Sequence, residues 1–229
     1  MHFSNQCHLR PSDVSDKMED TVDDRETEEE EFTAERALAE IENAWLNEKF
    51  APEILPHKSD LVDCMLQQIS HMDENMKRLD RGDLRLAIHR MELDRIRFVI
   101  SSYLRTRLEK IERYAILILS EEAKRSPDEL YLTDGETKFA KEYLTGVETL
   151  FRTLALRHMP PNFQEFQVSN LTVKPNMHAH VFLRANKNVM GIIIPGTVDQ
   201  EIYFEAGSQH IIRYNAIAEL VKDGSVQLI

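Results

Sequence analysis

Asp83-Leu84-Arg85-Leu86-Ala87-Ile88-His89-Arg90-Met91-Glu92-Leu93-Asp94-Arg95-Ile96-Arg97-Phe98-Val99-Ile100-Ser101-Ser102-Tyr103-Leu104-Arg105 opens a stretch with no glycine or proline before Pro127. Asp83 is a good N-cap. Behind it Leu84, Ile88, Met91, Ile96, Val99, Tyr103, Leu104, Leu108, Ile111 and Ile118 recur at helical intervals. The spacing predicts one helix of ~40 residues and ~60 Å, against a usual length of ~12 residues. A small domain cannot cover such a helix alone, so part of it is expected to pack against another chain.

Working outward, Arg81-Gly82 closes a preceding helix over about 60–80, whose stripe is Leu61, Met65, Met72, Met76 and Leu79. Before that, Thr33 caps a helix over about 34–50 carrying Ala34, Leu38, Ile41 and Trp45, which Pro52 and Pro56 stop. Downstream, Phe139, Tyr143, Val147, Leu150, Phe151 and Leu154 predict a helix over about 135–158, ended by Pro160-Pro161. Beyond the proline pair the period changes to that of strands. His178–Arg184, Met190–Ile194, Glu201–Phe204, His210–Arg213 and Val226–Ile229 are short β-branched or aromatic runs, with a short helix at Asn215–Lys222 before Gly224. The apolar last residues are expected to be docked. The division expected is an acidic disordered tail over 1–31, a helical domain over 32–159, a linker over 160–170 and a small β-rich domain over 171–229. The fold class is therefore mainly α with a small β-rich C-terminal domain.

The net charge is −12, and residues 1–31 hold eleven acids against three bases, leaving the body only −4. An acidic chain repels phosphate backbones, so protein partners are expected over tight nucleic-acid binding. Cys7 and Cys64 are too few for a disulfide framework; they suggest a reducing compartment and read as inert thiols. No apolar run approaches the ~20 residues of a membrane span, and the N-terminus has no signal-peptide core.

Phosphate loops, GxSxG, CxxC and HExxH are missing, so no catalytic residue, cofactor or metal site is expected. His178, His180 and His210 could ligate a metal if they shared a face, but exposed strand histidines are commoner. On the long helix Arg105, Arg107, Lys110 and Arg113, with Lys124 and Arg125 beyond, could serve an alternative function as a nucleic-acid module. Interleaved Glu92, Asp94, Glu109 and Glu112 instead favour ion pairing.

Several strings resemble a known family. Ala44-Trp45-Leu46-Asn47-Glu48-Lys49-Phe50-Ala51-Pro52 is similar to the AWxNEKFAPE segment of the Sld-five family of GINS subunits. Glu92 to Arg105 resembles that family's ERIRYVLSSYLR helix, Arg157-His158-Met159-Pro160-Pro161-Asn162 its hinge, and Gly207 to Tyr214 with Val226-Gln227-Leu228-Ile229 its C-terminal signature. The resemblance covers roughly 34–229. It implies a helical-bundle A domain plus a B domain, in a non-catalytic nuclear subunit assembled with three sisters, Psf-one, Psf-two and Psf-three. It also implies that the assembly binds the MCM ring and Cdc-forty-five to form the CMG replicative helicase, with replisome polymerases and an adaptor hub as further partners, no membrane, and DNA contact indirect or weak. In relatives an acidic, partly apolar N-terminal segment docks that hub; here residues 13–31 offer only Val14, Met18 and Val22 as apolar anchors. Trp45, Phe50, Tyr103, Leu104, Leu108, Ile111, Ile211, Tyr214 and Leu228 are expected in the core or between subunits.

Overall fold

The computed structural model describes residues 33–79, 83–165, 171–193 and 201–229. The acidic tail expected over 1–31 and the second half of the expected linker, 166–170, lie outside the described residues.

Helix α1 spans Ala34–Phe50, and the Thr33 side chain accepts the Arg36 N–H, satisfying one of the otherwise orphaned first-turn donors. Helix α2 spans Ser59–Met76, stopping before the expected residue 80 because Lys77 ends the ladder in a tightened turn. Helix α3 spans Leu84–Glu122 and is capped by Asp83, whose carboxylate accepts the Arg85 N–H at 2.9 Å. It is one helix in contour but kinked at Tyr114 (φ −121°, ψ 21°). Helix α4 spans Asp134–Leu154 behind a reciprocal capping box of Thr133 and Glu136. It ends earlier than the expected 158, because Ala155 departs from helical geometry and Leu156–His158 form a 3₁₀ turn.

Cross-links between helices fix their directions. Glu42 meets Arg95, Trp45 meets Ser102 and Glu48 meets Lys110, so α1 runs parallel to α3. The Lys58 N–H reaches Tyr103 and Asp73 reaches Arg97, so α2 runs antiparallel to it. The first core lies among these three helices and contains Ala37, Ile41, Met65, Ile69, Leu93 and Val99. A second core, Ile54, Ile111, Ile118, Leu132 and Ala140, joins the far half of α3 to α4. Each fully buried aliphatic side chain contributes about 1.5–3 kcal/mol relative to exposure.

The C-terminal part holds two small sheets. Strand β1 (His180–Ala185) is flanked by β4 (Gln209–Arg213) and β5 (Val226–Leu228), both antiparallel; β2 (Val189–Ile193) pairs antiparallel with β3 (Glu201–Phe204). Strand β1 alternates strictly: Val181, Leu183 and Ala185 point inward, His180, Phe182 and Arg184 outward. The expected helix over 215–222 is a 3₁₀ turn, Tyr214–Ala216, followed by α5, Ala218–Lys222. Gly224, at φ +71°, then adopts the left-handed conformation that lets the chain leave α5 for β5. Cys64 is buried and disulfide-bonded, which corrects the reading of it as an inert thiol, whereas Cys7 lies outside the described residues.

A buried polar junction and the candidate interaction surfaces

The α1–α2 connection is where the bundle meets the sheets, and its polar groups come from the string Asn47-Glu48-Lys49-Phe50-Ala51-Pro52-Glu53. Glu48 and Arg107 are each only 1% exposed. One Glu48 oxygen accepts from Lys110 Nζ at 2.7 Å, and the other accepts from Arg107 Nη1 at 3.2 Å. Arg107 also donates to the Leu55 and Tyr131 carbonyls, both at 2.7 Å, and grips both Glu136 oxygens at 2.7 and 3.0 Å. Lys110 donates to the carbonyls of Glu48 and Glu53. Among the described residues every buried side-chain nitrogen or oxygen has a partner, which is the condition under which a buried ion network can be tolerated.

Burial raises a carboxyl's pKa, but the Arg107 hydrogen bonds outweigh it and hold Glu136 below the usual carboxylate range. Burial opposes the Arg107 charge as well, yet Glu136 and Glu48 keep its guanidinium firmly protonated. Burial pushes the Lys110 ammonium down against the pull of Glu48, and it lifts the Tyr103 phenol to about 12. The two acids accept from the cations and from the Leu55 and Thr133 N–H groups, and the remaining donors of Arg107 and Lys110 are taken up by carbonyls.

The same segment clamps the sheets. The Leu228 N–H donates to Asn47 Oδ1 at 2.8 Å, and the Tyr214 hydroxyl donates to Glu53 at 2.9 Å. Lys222 lies 3.6 Å from Glu53, and Ala51 and Leu55 belong to the sheet core beside Leu183, Tyr214, Ile217 and Leu228. Trp45 is half-buried, donating its indole N–H to Ser102 Oγ at 2.9 Å and packing edge-on against Phe98.

Of the nine residues expected in a core or an interface, Tyr103, Ile111, Tyr214 and Leu228 are buried within this chain. Phe50, Leu104, Leu108 and Ile211 are exposed, at 40%, 40%, 37% and 59%. Leu104 and Leu108 each follow a buried residue, Tyr103 and Arg107, and one step along a helix turns the side chain by about 100°. They therefore lie off the core face. They join other uncovered apolar groups. Leu84, Ile88, Met91 and Phe98 line the outer side of α3, and Tyr143, Leu150 and Leu154 line α4, whose sole fully buried residue is Ala140. On the sheet, Phe182 lies opposite Ile211 on the outward face. Apolar side chains left uncovered in this number on α3, α4 and the outer sheet are the kind of surface a partner takes.

The alternative phosphate surface loses two of its cations to the interior, since Arg107 and Lys110 are buried in ion pairs. Arg125 is held by Glu121 and Glu122 and lies over the Tyr131 ring, leaving Arg105, Arg113 and Lys124 exposed. The histidines do not converge. His178 sits in a turn ahead of β1, correcting the expected strand start, and its N–H donates to Asn176. His180 shares the outward face with Arg213, whereas His210 pairs with inward-facing Leu183 and stacks on Phe204. No group of three potential metal ligands occurs among the described residues, and none of the described helices is long and apolar enough to cross a membrane.

Sequence reasoning missed the Glu48–Arg107–Lys110 junction. The available signal was that Arg107 and Lys110 sit at core spacing between Tyr103 and Ile111, but the spacing is the same for a solvated helix face.

Comparison with known proteins covers both parts of the chain. Residues 64–155 match the family model for the GINS complex protein helical bundle domain, and residues 175–229 match that for the DNA replication complex GINS protein SLD5 C-terminus. The chain is 46% identical to DNA replication complex GINS protein SLD5 of Rattus norvegicus over 211 residues, covering 90% of this chain and 95% of the relative. It is 43% identical to the Homo sapiens protein of that name over 208 residues, covering 89% and 93%. It is 30% identical to the Arabidopsis thaliana protein over 201 residues, covering 82% and 89%.

Proposed function

The chain belongs to the SLD5 family of GINS proteins, and from that premise we propose that it is a non-catalytic structural subunit of a nuclear GINS assembly acting in DNA replication. Its partners on this reading are three sister subunits, Psf-one, Psf-two and Psf-three, with which it forms a heterotetramer. The assembly then holds the MCM ring and Cdc-forty-five in the CMG helicase arrangement. ATP hydrolysis belongs to the ring, and this chain supplies contact area.

The observation that carries the reading is the combination of a fully satisfied polar interior with uncovered apolar faces on α3, α4 and the outer sheet. A saturated junction fixes the bundle and sheets relative to each other; the uncovered faces are what a sister can bury. Phe50, Leu104, Leu108 and Ile211 are assigned to contacts with sisters. Trp45, Tyr103, Ile111, Tyr214 and Leu228 hold the chain in the shape those contacts require. The bundle over 32–159 and the β-rich part over 171–229 act as two domains joined at 160–170, with Glu53 and Asn47 as the pins between them.

The test is co-expression with the three candidate sisters, followed by size-exclusion chromatography with light scattering. A stable 1:1:1:1 particle is the expected result. A well-behaved monomer that ignores all three would overturn the proposal.

A further inference from the structure

At the end of the bundle remote from the sheets, the last turn of α2, the turn that follows it and the first turns of α3 leave a groove of about 450 Å³ lined by Asp73, Met76, Lys77, Leu79, Leu86 and Arg90. Met76, Leu79 and Leu86 form a half-buried apolar floor, and Lys77 and Arg90 stand exposed at the rim with Arg78 beside them. Among the described residues none of these three cations has an ion-pair partner, while Asp73 is committed to Arg97. The groove thus presents unneutralised positive charge around an apolar floor, the complement of an acidic segment with a few apolar anchors.

Such a segment begins beside it. Because α1 runs parallel to α3, with Glu42 at Arg95 and Glu48 at Lys110, Thr33 stands at the same end of the bundle as Leu86. Ala37 and Met76 accordingly pack in the same core. The 32 residues before Thr33 include eleven acids, Asp13 to Glu31, and three bases. Val14, Met18 and Val22 recur among the acids at four-residue intervals. Ten residues of extended chain reach up to ~33 Å, so the stretch between Val22 and Phe32 is long enough to return over the groove.

We propose that residues 13–31 of this same chain dock in the α2–α3 groove, with Val14, Met18 and Val22 on the apolar floor and the acids against Lys77, Arg78 and Arg90. Being tethered at Thr33, the segment competes at a high effective concentration with any acidic partner that approaches this end, and salt weakens its hold. The proposal does not depend on the family reading, since it needs only this chain.

The test is carbodiimide coupling of the full-length chain, by itself and with its co-expressed partners, read by mass spectrometry. This chemistry joins a carboxylate to a lysine in direct contact. Coupling of residues 13–31 to Lys77 is expected to exceed coupling to the exposed Lys124, Lys138 and Lys141 at least about fivefold. Replacing two exposed ion pairs by like-charge contacts in Arg78→Glu/Arg90→Glu should cut it roughly tenfold. Adding 0.5 M salt to the unaltered chain should lower it in the same direction, a readout that requires no variant to fold. Coupling spread evenly over the exposed lysines, coupling chiefly to another subunit, or a Lys77 yield indifferent to salt would overturn the proposal.

Discussion

Replacing Glu48 by Gln removes one negative charge from a site where it faces two buried cations. The geometry sets the size of the effect. At about 3 Å and an effective dielectric near 20, each contact has a gross Coulomb energy of roughly 5 kcal/mol, much of it offset by the cost of burying the carboxylate. Arg107 retains Glu136 and two carbonyls after the substitution, but Lys110 is left with neutral acceptors alone, the carbonyls of residues 48 and 53 and the new amide oxygen. The loss is therefore mainly that of one stranded ammonium, about 3 kcal/mol, at the lower end of what breaking a buried pair costs. For a chain of this length that is a fall in Tm of about 6–12 °C. Thermal unfolding followed by circular dichroism, at matched concentration and in the same assembly state as wild type, measures it. Two comparisons sharpen the result. Lys138→Ala, which breaks the exposed Lys138–Glu142 pair, should change stability by less than about 0.5 kcal/mol. Lys110→Met added to Glu48→Gln should recover much of the loss, because the stranded cation is gone. If Glu48→Gln melts within a degree of wild type, or if the two substitutions simply add, the junction is not the electrostatic lock described here.

Further outcomes are expected elsewhere. Tyr103 has its phenol lifted from 10.0 to about 12 by burial, so the folded state holds a proton that the unfolded state releases; stability should fall as pH rises above 10, by about 1.4 kcal/mol at pH 11, and urea titrations of Tyr103→Phe should lack that part of the decline. Leu104→Asp and Leu108→Asp, both on exposed positions, should each shift the chain's own stability by no more than about 1 kcal/mol yet cost at least about 2 kcal/mol in binding sisters, read by co-purification; an intact assembly would remove these positions from the interface. Deleting Val226–Ile229 removes two fully buried side chains and the Asn47 contact, at least about 4 kcal/mol, and should make residues 171–229 sensitive to limited proteolysis; unchanged resistance would show that β5 does not hold the sheet to α1.

The helices and strands could be read from the sequence because their signals are local. Thr33, Asp83 and Thr133 cap within three residues, Gly224 permits a turn at its own position, and the alternation of β1 is a property of six consecutive side chains. Likewise, the absence of recognisable catalytic strings and the string from Trp45 to Pro52 needed no coordinates. Which cations are buried needed the tertiary structure. Arg105 and Arg107 look alike in sequence, but only Arg107 turns toward α1, where Glu48 arrives from 59 positions earlier in the chain and Glu136 from 29 later. The same holds for Leu104 against Ile111: both fit a helical stripe, and the packing of α1, α2 and α4 around α3 left one uncovered and enclosed the other. Periodicity reports which residues share a face; only the neighbouring elements decide which face is covered, because burial is a property of what stands opposite.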